Sequence, residues 1–274
     1  MVVSDKAVSR PKQLRIGRIL GATLAVLGGG AAVAVALRGP GTLREGPAVS
    51  CASRVIVVDT SSSDRSPVLS NLADRVINAA AQSAVVCSDS LSVYGVSGGG
   101  AESTIITTDD LSGFAPIGPT AQIRSLRLNS AQRSALDGLI SARLRAAYDT
   151  GDPGVTSIAA LYLAASEHLV DPTQVLLITD GVNDDSQVNL NRPLASGAGS
   201  ELARNLPVSQ LPNATVTIVG LAQVDESSAP PSPLWPTEIQ NFNAVLCHES
   251  RARLCRLYAV ASVSESLNPP GGTK

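Results

Sequence analysis

Two kinds of hydrophobic pattern alternate along the chain from residue 51 onward. Arg54-Val-Ile-Val-Val58 is a continuous β-branched run of the type found in strands buried on both faces, and Gln174-Val-Leu-Leu-Ile-Thr179 and Ala214-Thr-Val-Thr-Ile-Val-Gly220 repeat it. Between such runs the apolar spacing turns helical. Val68, Leu72, Val76 and Ala79 or Ala80 share one face behind Pro67, which suits a first helical position. Asn129 or Ser130 caps a helix running to about Tyr148 through Leu136, Leu139, Ile140 and Leu144; another follows from about Ser157 to Leu169, and Pro236 opens a last one to about His248. Ser90-Leu-Ser-Val-Tyr-Gly-Val96 and Ser103-Thr-Ile-Ile-Thr-Thr108 read as two strands joined through Gly98-Gly99-Gly100, the second antiparallel, and Leu254-Cys-Arg-Leu-Tyr-Ala-Val260 reads as a terminal edge strand. This alternation predicts an α/β fold with a doubly wound, mostly parallel open sheet and helices on both faces. Two long loops, about 182–199 and 222–235, are candidate binding segments.

Ahead of this pattern stands an uncharged apolar run, residues 19–37, whose 19 residues at about 1.5 Å each reach about 28 Å, close to the hydrocarbon thickness of a bilayer. It predicts one membrane span. The alternative is a signal peptide cleaved after Ala34-Val35-Ala36, with secretion of the rest; the run is long for that role. Lys6, Arg10, Lys12, Arg15 and Arg18 against the single acid Asp5 give residues 1–18 a net charge of +4, which places that tail in the cytoplasm. Beyond Arg38 there are 15 basic and 22 acidic residues, a net −7, so tail and body face different surroundings. The expected organisation is a basic cytoplasmic tail (1–18), a transmembrane anchor (19–37), a Gly/Pro-rich linker (38–50), one extracytoplasmic domain (51–263) and a disordered tail (264–274), in a single-pass protein of the cell membrane.

Composition narrows the function. Seven aromatic residues in 274 leave few platforms for stacking bases, which argues against a single-strand nucleic-acid binder. All four cysteines (Cys51, Cys87, Cys247, Cys255) follow the apolar run and none forms a CxxC pair, so disulfides are expected rather than a zinc site; four cysteines allow three pairings. Within one helix Cys247 and Cys255 would stand about 12 Å apart. Their pairing therefore requires a turn at about 249–253.

In doubly wound sheets ligands bind at the carboxyl ends of strands where the strand order reverses. Two predicted strand ends carry oxygen ligands: Asp59-Thr-Ser-Ser-Ser-Asp64 and Asp180-Gly-Val-Asn-Asp184. A carboxylate with alternating hydroxyls, joined by a second carboxylate, suits a hard divalent ion. With so few anionic ligands the ion would keep positive charge and seek an acidic ligand elsewhere.

Asp59-x-Ser61-x-Ser63 after a VIVV strand, Gly154-Val-Thr156 before a helix, and Ile178-Thr-Asp180-Gly181 after an apolar strand together resemble the von Willebrand factor A domain and its metal-ion-dependent adhesion site. The resemblance spans about residues 52–262, with the three pieces in family order. It implies that Asp59, Ser61 and Ser63 hold the metal from the first loop, Thr156 from the second and Asp180 from the third. It also implies a divalent cation, Mg²⁺ or Mn²⁺, and a partner protein that supplies a carboxylate. Ser62 stands where the family commonly has Gly, and Val155 where a second Gly is frequent. In the family's sheet the first two strands are parallel neighbours, which implies a Cys51–Cys87 disulfide.

Three readings of function remain. The first is a non-enzymatic, metal-dependent protein-binding module tethered to the membrane. The second is a metal-free scaffold of the same fold, since serines after a strand also serve in Asx-type turns and helix caps. The third is a serine hydrolase, because Gly95-Val-Ser97-Gly-Gly99 fits a nucleophile elbow and Asp180 and His248 follow in order. An elbow must lead into a helix, and here a strand-like segment follows.

Overall fold

The computed structural model describes residues 51–61, 67–114, 128–151, 157–170, 173–223, 230–259 and 266–267, all within one compact unit. The tail, anchor and linker expected over 1–50, and nearly all of the expected tail 264–274, lie outside the described residues. Among those described, no helix is long and apolar enough to cross a membrane.

The chain runs β1 (Arg54–Asp59), α1 (Pro67–Cys87), β2 (Leu91–Val96), β3 (Glu102–Thr107), α2 (Thr108–Leu111), α3 (Ser130–Thr150), α4 (Ile158–Glu167), β4 (Gln174–Ile178), α5 (Ala198–Arg204), β5 (Thr215–Val219), α6 (Trp235–Glu249) and β6 (Leu254–Tyr258). The six strands form one sheet in the order β3-β2-β1-β4-β5-β6. Every neighbouring pair is parallel except β2 with β3. This is the doubly wound order with an antiparallel edge, and its direction of winding reverses between β1 and β4.

Strand alternation divides the core in two. Val55, Val57, Val175, Leu177, Val216 and Ile218 face the layer of α4, α5 and α6, whereas Ile56, Val58, Leu176, Ile178 and Val219 face α1 and α3. Both faces are covered, which is why the middles of β1 and β4 are apolar at every position instead of every second one, and why Thr215 and Thr217 of β5 are buried as well. A fully buried aliphatic side chain contributes about 1.5–3 kcal/mol.

The sequence-derived elements recur with ends shifted by a residue or two, apart from α1, which continues two turns past the expected Ala80 to Cys87. Asn129 caps α3: its side chain accepts from Gln132 N–H, and the Gln132 side chain accepts from Asn129 N–H. Helix α5 is absent from the sequence-derived pattern. Its seven residues carry too short an apolar stripe to register, and it forms because tertiary contacts support it. The buried Glu238 of α6 accepts from the N–H groups of Gly197 and Gly199, and Gly199 lies so close to the Glu238 carbonyl that a Cβ would collide with it. The 182–199 segment is likewise no plain loop. Asp184 bridges Asn189, and Val188, Leu190 and Leu194 enter the core.

Both disulfides form, Cys51–Cys87 and Cys247–Cys255, with Cα separations of 5.6 and 6.0 Å. The first joins the chain just before β1 to the end of α1, which precedes β2, as the parallel β1–β2 pairing permits. The second is possible because α6 stops at Glu249 and Arg251 adopts a positive φ of 57°, turning the chain back into β6.

Candidate functional site

The reversal of winding puts the carboxyl ends of β1 and β4 side by side, with Val58 opposite Ile178 in the register. Asp59 ends β1 and Asp180 lies two residues past β4, only 2% and 4% exposed, and Ser61 is equally buried. The structure thus brings Asp59, Ser61 and Asp180 to one end of the sheet. Ser63 and Thr156, with Ser62 and Val155, lie outside the described residues.

The Asp59 carboxylate is held from two sides. Ser61 N–H donates to Oδ1 at 3.0 Å, closing an Asx turn, and the Thr179 hydroxyl donates to Oδ2 at 3.0 Å from the adjacent strand. Thr179 Oγ1 in turn accepts from Gly181 N–H at 3.0 Å. The Asp180 carboxylate accepts from Val182 N–H at 2.8 Å, while its carbonyl accepts from Ala222 N–H at 2.7 Å, tying the loop after β5 to the same place. Gly181, at φ 77°, sits where a Cβ would strike Leu221 and Asn243, so the turn after Asp180 requires glycine on both conformational and steric grounds.

Two residues whose role the sequence did not reveal complete the frame. Asn183 is fully buried and joins two loops: its Oδ1 accepts from Ile158 N–H, the first residue of α4, and its Nδ2 donates to Val188 O, both at 2.8 Å. The start of α4, two residues after Thr156 in sequence, is thereby fixed to the loop that follows Asp180. Gly151 ends α3 so close to β1 that an added Cβ would stand 2.5 Å from the Thr60 carbonyl oxygen. Only the signals of a buried Asn and a helix-ending Gly were present in the sequence, and both are common in structural roles.

The hydrolase arrangement does not assemble. After Ser97 the chain makes a single helical turn over Gly98–Gly100, with Gly100 N–H bonded to Ser97 O, and enters β3. No α-helix follows the serine before β3. His248 lies at the end of α6, one residue from Cys247, which is bridged to Cys255 opposite Val216 near the start of β5. It therefore lies toward the amino ends of the strands, whereas Asp180 lies beyond the carboxyl end of β4, about a strand length of 16 Å away. Its side chain is also 89% exposed.

No protein-family model and no curated protein matches the sequence. Among solved structures the chain is similar to an aerotolerance-related membrane protein from Bacteroides fragilis, at 15% identity over 80% of this chain and 99% of that one, with a TM-score of 0.38. It is similar to the BatB protein of Bacteroides thetaiotaomicron at 14% identity over 79% and 94%, TM-score 0.38. Similarity to the manganese-loaded TRAP protein of Plasmodium vivax is 18% identity over 79% and 70%, TM-score 0.34. At these scores the likeness adds nothing to strand order and register, which by themselves establish an α/β, doubly wound sheet with its winding reversal at Asp59 and Asp180.

Proposed function

We propose that the chain is a membrane-tethered, extracytoplasmic module that binds a partner protein through a divalent cation at the carboxyl ends of β1 and β4. The observation that carries this reading is the placement of two buried carboxylates, Asp59 and Asp180, on the adjacent strands that flank the winding reversal. The donor set fits a hard ion, since carboxylate and hydroxyl oxygens are all that Asp59, Ser61 and Asp180 offer. Ser63 and Thr156 would complete the shell, and Mg²⁺ or Mn²⁺ would supply an open position for a carboxylate of the partner. The protein's own part is to hold these oxygens still: Thr179 and the Ser61 N–H orient Asp59, and the turn at Gly181 orients Asp180.

The metal-free scaffold is the rival, favoured by the Asx turns that Asp59 and Asp180 already make with Ser61 and Val182. Calorimetric titration of Mg²⁺ or Mn²⁺ into the full-length chain and its Asp59→Ala variant, in detergent, separates the two. Saturable binding that is lost in Asp59→Ala, while that variant still unfolds cooperatively in chelator, supports the metal site. Absence of binding to the wild type leaves the scaffold, and equal affinity in both proteins puts the ion elsewhere, with Asp184 and Asp185 the next candidates. A pull-down from membrane extract with and without chelator tests the partner. Protease added to intact cells should digest the domain and leave a membrane-bound stub; release of the whole domain with a new terminus near Leu37 would show a cleaved signal peptide.

A further inference from the structure

Near the β3 edge of the sheet, on the face covered by α4, three side chains that the strand-end site does not use converge. Glu102 opens β3 opposite Val96, two strands across from Asp59 in the register. Glu167 is the last residue of α4 and His168 follows it. One ligand atom from each of the three lies within 4.8 Å of the others. We propose that Glu102, Glu167 and His168 form a second cation site, suited to a borderline transition ion such as Zn²⁺.

The donor set separates this site from the first. One imidazole nitrogen with two carboxylate oxygens suits Zn²⁺, whereas Mg²⁺ favours oxygen alone. Ligands about 2 Å from a tetrahedral ion stand about 3.3 Å apart. His168 Nε2 and Glu102 Oε1 are already 2.9 Å apart, so a small opening admits the ion between them. The orientation of the imidazole is fixed by packing, because its ring stacks on Tyr94 of β2 with centroids 3.8 Å apart and planes 13° from parallel.

An independent electrostatic argument points to a cation. Among the described residues the ion-pair partner of Glu102 is His168 itself, and no arginine or lysine pairs with Glu102 or Glu167. Both carboxylates converge at the carboxyl end of the ten-residue α4, where the helix dipole adds further negative potential. A divalent ion would offset all three contributions and join the edge strand β3 to α4. Three protein ligands would leave one position open, for water or a side chain of a bound partner.

The test is calorimetric titration of ZnCl₂ into the full-length chain in detergent, with Mg²⁺ in excess, for the wild type and for Asp59→Ala, Glu102→Gln, Glu167→Gln and His168→Gln. Zn²⁺ should bind wild type and Asp59→Ala alike, and at least about tenfold more weakly to the other three. Zn²⁺ should also raise the melting temperature of the wild type and not that of the three ligand variants. Should His168→Gln melt early in chelator through loss of the Tyr94 stack, Glu102→Gln and Glu167→Gln carry the comparison. No saturable Zn²⁺ binding in the wild type, or unchanged affinity in the glutamine variants, overturns the proposal.

Discussion

The hydroxyl of Thr179, the residue that follows β4, donates to Oδ2 of Asp59, the last residue of β1, at 3.0 Å. One strand of the winding reversal thus orients the carboxylate of the other before any ligand arrives. Thr179→Val keeps the shape and removes the donor, leaving a buried carboxylate oxygen without that bond, at a cost of about 1–3 kcal/mol. Because the bond acts behind a candidate ligand, affinity for Mg²⁺ or Mn²⁺ should fall about 10- to 100-fold. Urea denaturation and calorimetry on the same protein read both effects.

Asn183→Ala should be the more damaging change to the fold. It strands Ile158 N–H inside the protein and takes one of two donors from Val188 O, which keeps Asp185 N–H, and about 2–4 kcal/mol of stability should be lost. Hydrogen exchange should show the first turn of α4 opening before the rest of the helix. Protection of Ile158 equal to the wild type's would refute the tie.

Gly151→Ala tests the contact between α3 and the loop after β1. Gly151 has φ −60°, which any residue adopts, so the effect is purely steric. A methyl group 2.5 Å from the Thr60 carbonyl must push the Asp59–Ser61 loop or the end of α3 aside. Metal affinity should fall by more than the melting temperature would suggest, and wild-type affinity in this variant would mean that the loop yields at no cost.

Acid stability should report one surface pair. The Arg143 guanidinium bonds Asp110, with Thr107 assisting, and holds its carboxyl below the ordinary value of 3.8. A depressed folded-state value stabilises fully above pH about 4 and is lost as pH falls through it. Asp110→Asn should therefore flatten the stability profile below pH 4, followed by thermal melts, while changing little of its shape above. The pair is partly exposed, so the change should be small.

What was legible in the sequence follows from what each residue type can do locally. Val55 to Val58 and Val175 to Ile178 announce strands buried on both faces because no polar position interrupts them, and that alone points to a parallel sheet. That Asp59 and Asp180 meet at one end of the sheet was legible because each closes or closely follows such a strand. Helix α5 was hidden, because it depends on Glu238, about 40 residues along the chain, to cap Gly197 and Gly199. Thr179, Asn183 and Gly151 were hidden for the same reason: each matters through a partner that only the assembled sheet end brings near. The Cys247–Cys255 bond was a possibility conditional on a turn, which Arg251 supplies.

That bond has a bearing on how the protein must be made. Strand β6 is the outermost on its side and only partly buried, and Cys255 near its start is covalently held to the helix packed beside it. In a reducing cytoplasm the clasp is missing, and whenever β6 frays, the fully buried Thr-Val-Thr-Ile-Val of β5 becomes the free margin of the sheet. An uncharged β-branched margin is a template for pairing with another chain. Material produced without oxidation should accumulate as aggregates seeded by β5, whereas folding under oxidising conditions closes the sheet on that side.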